Sequence, residues 1–330
     1  MTSARYIIGL LKSHIERDDD RFLSTAMQLA AHEARQGHGK LATEVKNLID
    51  EAKSREALAE PRQGPSPVPI TQPKGELASV LSVRYPTEQL GDLVLPDELA
   101  ARLRRVLLEQ RQQQRLRDHG LRPRRKLLLV GPPGSGKTMT ASALAGELKL
   151  PLFTIVLDGL ITKFMGETAG KLRLIFDAMS ATRGVYFFDE FDAIGARRGE
   201  RQDVGEIRRV LNSFLQFLEQ DDSHGLVIAA TNHPELLDRA LFRRFDDVLE
   251  YGLPDGDLLE RLLRARLGGF EVTGLDWKGC AELAAGLSQA ETVRAAEDAA
   301  KTAVLSGTRL VTTEGLREAL EDRRRASIGA

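Results

Sequence analysis

The sequence predicts an α/β fold: a parallel sheet with flanking helices, a C-terminal helical lid and a small all-α N-terminal domain. Three runs carry that expectation. Leu127, Leu128, Leu129 and Val130 lead into GPPGSGKT at 131–138, followed by a helix-compatible stretch over 139–150. Val185, Tyr186, Phe187 and Phe188 end in Asp189 and Glu190. Leu226, Val227, Ile228, Ala229 and Ala230 end in Thr231 and Asn232. Short apolar runs of this kind, set between helical periods, read as buried parallel strands. Such sheets deliver polar groups beyond the carboxyl ends of their strands.

The first run ends in a phosphate-binding loop. Gly131, Gly134 and Gly136 let the backbone turn its amides toward phosphate oxygens, and the helix that follows adds a positive dipole end. Pro132, Pro133 and Ser135 complete the loop. Lys137 has the reach for β and γ phosphates, and the Thr138 hydroxyl suits one position on Mg²⁺. A ligand-free glycine turn could join the same strand and helix, but the complete motif in this setting favours ATP. After the second run, Asp189 suits a Mg²⁺ held through its water shell, and Glu190 suits orientation of an attacking water. An acidic surface turn is the plain alternative, and pairing with the phosphate loop argues for hydrolysis. Asn232, after the third run, either aligns that water or caps the turn before Pro234.

GPPGSGKT, FFDE, ATN and LDRALFRRFDDVLEYGLPD together resemble the AAA branch of the AAA+ ATPases, over residues 80–325. The resemblance implies a Mg²⁺-dependent ATPase that forms a ring, a hexamer in much of the family. It implies Lys137 and Thr138 as the phosphate-loop pair, Asp189 and Glu190 as the second ATPase motif, and Asn232 as the first sensor. Nucleotide contacts extend to Met139, with Asp92 beside the base and Ala290 in the lid; Ser288 serves equally as a helix N-cap. Arg243 and Arg244 resemble the arginine fingers. Two residues commonly separate these arginines in the family, whereas here they are adjacent, which leaves their division of labour open. A guanidinium near the γ phosphate offsets charge as the bond breaks, so a subunit without its neighbour's finger should be slow.

Thr162, Lys163, Phe164, Met165, Gly166, Glu167 and Thr168 resemble the pore loop of protein-threading members, ahead of a helix expected from about Ala169. Phe164 and Met165 would offer adaptable apolar surface, with Gly166 turning tightly behind them. Residues 197–205 form a second charged, glycine-containing loop, read equally as channel lining or as plain surface. The function expected is therefore an ATP-driven remodeller that draws polypeptide through a ring, with an adaptor or a protease on a separate chain as further partner. Disassembly of one complex without full threading uses the same motifs.

Composition agrees. The net charge of −1 proposes no nucleic-acid partner. No run approaches a membrane span and no signal pattern opens the chain, which with the lone Cys280, expected inside the lid, suits a cytoplasmic protein. The six histidines do not cluster at metal-ligand spacing. Eight arginines between 104 and 125 are the best support for a nucleic-acid-linked ATPase; glutamines rather than aromatics separate them, which favours a solvated helix face.

The organisation reads as four stretches. Helical periodicity in 1–58, broken at 18–20 and 37–39, gives a three-helix domain similar in position to the substrate or adaptor modules of katanin and spastin types. Residues 59–79, with five prolines, form a linker. Residues 80–252 form the ATPase domain and 253–330 the lid, where Leu258, Leu259, Leu262, Leu263 and Leu267 share one period and Val293, Ala296, Ala300 and Val304 another.

Overall fold

The structure is a computed structural model, and it describes residues 25–27, 29, 75–155, 165–194, 203–237 and 239–328. Contacts divide the chain into two compact units, Met1–Pro67 and Val68–Ala330. In the first unit the described residues are helical and Ala26 is buried. The three-helix arrangement expected there otherwise lies outside the described residues, as does the linker up to residue 74. The end of that linker differs from expectation: Leu77–Val80 form a short helix, α1. Val80 is fully buried against the sheet and holds the segment there.

Among the described residues six strands make one sheet: β1 (Leu81–Arg84), β2 (Lys126–Val130), β3 (Leu152–Ile155), β4 (Val185–Phe188), β5 (Leu226–Thr231) and β6 (Asp247–Glu250), in the order β1-β3-β4-β5-β2-β6. Strands β2 to β6 run parallel. Strand β1 runs antiparallel, on the edge against β3. Strands β4 and β5 are buried along their whole length, which is why they read as unbroken apolar runs.

Helices cover both faces: α2 (Asp97–Arg111), α3 (Gln113–Asp118), α4 (Lys137–Leu148), α5 (Met165–Ala181), α6 (Asp203–Gln220) and α7 (Arg239–Phe242). The two-residue period of β2 assigns the faces. Leu127 and Leu129 pack with Leu103 and Val106 of α2 and Leu144 of α4. Leu128 and Val130 belong to the other core, with Ile175 and Phe176 of α5 and Phe214 and Leu218 of α6. There Phe214 meets Phe188 edge-on at 5.1 Å between ring centroids and Phe191 at 4.7 Å, so the turn after β4 rests on aromatic packing.

The segment expected to form the lid folds into α8 (Gly256–Leu267), α9 (Trp277–Leu283), α10 (Gln289–Leu305) and α11 (Thr313–Ile328). Asp255, Asp276 and Ser288 cap the first three by accepting from Leu258, Gly279 and Glu291 backbone N–H groups. The leucine period of α8 is buried as expected, and Cys280 lies within the lid core. On α10 the register differs from the expected one. Its inner stripe is Thr292, Ala295, Ala296, Ala299, Ala300 and Ala303, small residues that let α10 lie close to its neighbours, whereas Val304 is 56% exposed.

The arginine-rich stretch is largely an internal ion-pair network. Arg102 and Arg124 pair with Asp247, Arg105 with Glu109, Arg111 with Glu147, and Arg125 with Asp221. No helix among the described residues is long and apolar enough to cross a membrane.

Candidate functional site

At the carboxyl end of β2 the chain turns through residues 131–136 into α4, and three glycines there have positive φ. The turn is crowded from outside. A Cβ on Gly131 would lie 2.2 Å from the Tyr251 carbonyl oxygen, and one on Gly134 (φ +72°) would lie 2.6 Å from Ser288 Oγ. These glycines therefore give the loop its turn and also admit β6 and the lid against it. Ala290 N–H donates to the Gly134 carbonyl at 3.0 Å, tying the start of α10 to the loop. Tyr251 N–H donates to the Val130 carbonyl at 2.7 Å. The Tyr251 hydroxyl donates to Thr140 Oγ1 at 2.8 Å, and burial pushes its pKa up to about 12.

Lys137 is 6% exposed. Its ammonium donates to the carbonyls of Gly131 (2.7 Å) and Pro132 (2.8 Å) and to Asn232 Oδ1 (2.8 Å). Burial pushes its pKa down, and the carboxylates of Asp189 and Asp192 oppose that. Both candidate metal-site residues converge here: the Thr138 hydroxyl donates to Asp189 Oδ2 at 3.0 Å. Two hard oxygen donors so placed, beside a loop shaped for phosphates, fit Mg²⁺. Glu190 has φ +49°, the left-handed region, a conformation that costs about 1–3 kcal/mol for such a residue and collects at functional turns. Its N–H donates to Asp189 Oδ1 at 3.0 Å.

A cavity of about 620 Å³ joins these groups. Ser135 of the loop, Met139 of α4 and Asp189, Glu190 and Asn232 beyond the strand ends line it. Asp92, Leu93 and Val94 line another part, with Leu262, Arg266, Ala290 and Val293 from the lid. Both poles expected of a nucleotide site, apolar for the base and polar for the phosphates, are thus in one space. Gly131 and Pro132 do not line it; their carbonyls accept from Lys137 at its edge. Asp92 also caps its own turn, accepting from Gln89 N–H at 2.7 Å.

Arg243 and Arg244 are exposed in the turn before β6 and do not line the cavity. Asp246 N–H in that turn donates to the Lys126 carbonyl, at the start of β2, whereas the phosphate loop leaves its end. Five residues of strand, about 16 Å, separate the two levels. Arg244 pairs with Glu219 of α6, and Arg243 has no ion pair among the described residues.

Lys163 and Phe164 lie outside the described residues. Met165 and Gly166 already belong to α5, which begins four residues before the expected Ala169. In the second expected loop, 203–205 are helical as the start of α6, and 197–202 lie outside the described residues.

Sequence reasoning passed over Asp192, Tyr251 and Arg266. Asp192, 9% exposed, accepts from Thr231 Oγ1 at 2.9 Å and from Asn232 N–H at 3.2 Å. Its signal was a third carboxylate inside the apolar context of Phe191, Ala193 and Ile194. Arg266 reaches the cavity from α8 and pairs with Glu297 of α10; nothing in its local sequence separates it from surface arginines.

The profile of the AAA family (ATPase family associated with various cellular activities) matches residues 127–253. The chain is 33% identical over 313 residues to the uncharacterized AAA family ATPase y4kL of Sinorhizobium fredii, covering 95% of this chain and 93% of that one. It is 37% identical to ATP-dependent zinc metalloprotease FtsH 1 of Methylacidiphilum infernorum, over 70% of this chain and 38% of that protein. It is 35% identical to the proteasome-activating nucleotidase of Pyrococcus horikoshii, over 61% of this chain and 52% of that protein. The chain thus spans about half or less of the length of these last two. A crystal structure of the FIGL-1 AAA domain superposes with a TM-score of 0.59 at 25% identity, covering 76% of this chain and 90% of that one.

Proposed function

The chain belongs to the AAA family of ATPases and hydrolyses ATP, and from that premise we propose that it forms a ring, a hexamer, with active sites shared between neighbouring subunits, and that hydrolysis pulls polypeptide through its centre. The observation that carries the shared site is the place of Arg243 and Arg244. Their turn lies at the amino end of the strands, whereas the cavity opens at their carboxyl end, about a strand's length away. An arginine there serves a neighbour's nucleotide far more readily than its own.

In this reading Gly131, Pro132, Pro133, Gly134, Ser135 and Gly136 cradle the phosphates, and Met139, Asp92 and Ala290 border the rest of the nucleotide. Lys137 exchanges loop carbonyls for phosphate oxygens. Thr138 and Asp189 would hold Mg²⁺, which would supply positive charge to the phosphates. Glu190 orients the water and Asn232 holds it in line. Arg243 of the neighbour offsets charge on the γ phosphate, an effect of about 10³ to 10⁵ in turnover where fingers act in trans.

The threading part rests on Lys163, Phe164, Met165 and Gly166 and on relatives named as an ATP-dependent protease and a proteasome-activating nucleotidase. A protease or adaptor on a separate chain is the partner this reading allows, in the cytoplasm, with residues 1–58 as the recognition domain, 59–79 as its linker and 253–330 as the lid. A substrate trap tests it. Glu190→Gln should bind ATP without splitting it and retain client proteins, and Phe164→Ala in that background should release them. Clients held equally without Phe164 would refute threading, and retained nucleic acid would move the function to the nucleic-acid class.

A further inference from the structure

We propose that Asp192 is a positioning residue for hydrolysis, fixing Asn232 and the turn that carries Glu190 at one spacing. It rests on the assignment of Asn232 and Glu190 made above. Asp189 and Glu190 follow β4, Asn232 follows β5, and side-chain flexibility alone would let the two turns drift. Asp192 joins them. Its Oδ1 accepts the Thr231 hydroxyl at 2.9 Å and the Asn232 backbone N–H at 3.2 Å. Thr231 Oγ1, fully buried, accepts in turn from His233 N–H at 3.0 Å, so the whole turn after β5 hangs on one carboxylate. With the backbone of Asn232 held, its Oδ1 faces Lys137 Nζ at 2.8 Å.

The base of the linkage is closely packed. Phe191, between Glu190 and Asp192, is fully buried and packs on Phe214. That packing opposes any movement of Asp192 with Asn232. The arrangement confines change during turnover to the Asn232 side chain, which exchanges Lys137 for water or phosphate while its backbone stays in place. A carboxylate also suits the neighbourhood of Lys137 better than a neutral acceptor, because it offsets the cost of that lysine's burial.

The test is a double-mutant cycle on steady-state ATP turnover, using the full chain. Asn232→Ala should slow turnover by about 10²-fold, within the range for a lost positioned donor or acceptor. Asp192→Ala should do nearly the same with KM for ATP little changed, and the double variant should be no slower than the slower single one. Asp192→Asn, which keeps an oxygen acceptor on the same atom and should fold, is expected to lose about tenfold in kcat and little in KM. Losses that multiply, or an Asp192→Asn variant with lowered Tm and unchanged kcat, would make Asp192 purely structural and overturn the proposal alone. Unchanged turnover in Asn232→Ala would overturn it together with the assignment of Asn232.

Discussion

Replacing Gly134 with alanine should weaken nucleotide binding both by straining the phosphate loop and by loosening the lid against it. Three costs can be worked from the structure. The residue has φ +72°, where a side chain with a Cβ is strained by about 1–2 kcal/mol. The new methyl would lie 2.6 Å from Ser288 Oγ, so that hydroxyl must rotate away. Ser288 then stops accepting the Glu291 N–H at 3.2 Å, an N-cap whose loss costs about 1 kcal/mol. The methyl also sits 3.1 Å from Ala290 Cβ, beside the bond from Ala290 N–H to the Gly134 carbonyl, which favours separation of lid and loop. The total is roughly 2–3 kcal/mol, or about 30- to 150-fold in affinity if it falls on the closed cavity. Titration of a fluorescent ATP analogue into Glu190→Gln, with and without Gly134→Ala, measures it. Adding Ser288→Gly removes the atom that clashes and should recover part of the loss, about tenfold. Affinity within threefold of the parent, or no recovery with Ser288→Gly, would refute the reasoning.

The other expectations concern the turn before β6, the lid and Tyr251 at the end of β6. Arg243→Ala should cut turnover of the assembled protein by 10³-fold or more, whereas Arg244→Ala, which frees Glu219, should cost about tenfold or less because its guanidinium is already engaged; equal losses in steady-state assays would contradict this division. Asp276 is held below its ordinary pKa of 3.8 by the Gly279 N–H and then by Arg317. Because the folded pKa is the lower one, the unfolded chain takes the proton first, so stability present above about pH 4 is lost as pH falls through the folded value. Arg317→Ala should flatten that acid limb in a melting series from pH 6 to pH 2.5. Tyr251→Phe removes the bond to Thr140 and should cost about 0.5–1.5 kcal/mol, seen as a lower Tm.

The core of the sheet and the phosphate end of the site were legible because their chemistry is local. A strand buried on both faces has to be apolar throughout, and a loop that wraps phosphate has to carry glycine where φ is positive, so β2, β4 and β5 and residues 131–138 announce themselves. Strand β1 is four residues long and pairs only at the edge, leaving little periodicity to read. The early start of α5 was missed because Gly166, read as a turn, lies within the helix instead. On α10 the alanines, not the larger Val304, face inward, because close helix packing selects size over hydrophobicity. Asp192 and Tyr251 act through partners 40 and 111 residues away in sequence, a relation only the fold supplies.

The most direct test of the shared active site is complementation. Lys137→Ala subunits lack phosphate binding and keep Arg243; Arg243→Ala subunits keep the phosphate loop and lack the finger. Each alone should be nearly inactive. Mixed before assembly, they should regain ATP turnover that rises with total protein concentration, because some interfaces then pair an intact loop with an intact arginine. A mixture as inactive as its parts, or Arg243→Ala protein that hydrolyses ATP at the parental rate by itself, would contradict a site completed by a neighbouring subunit.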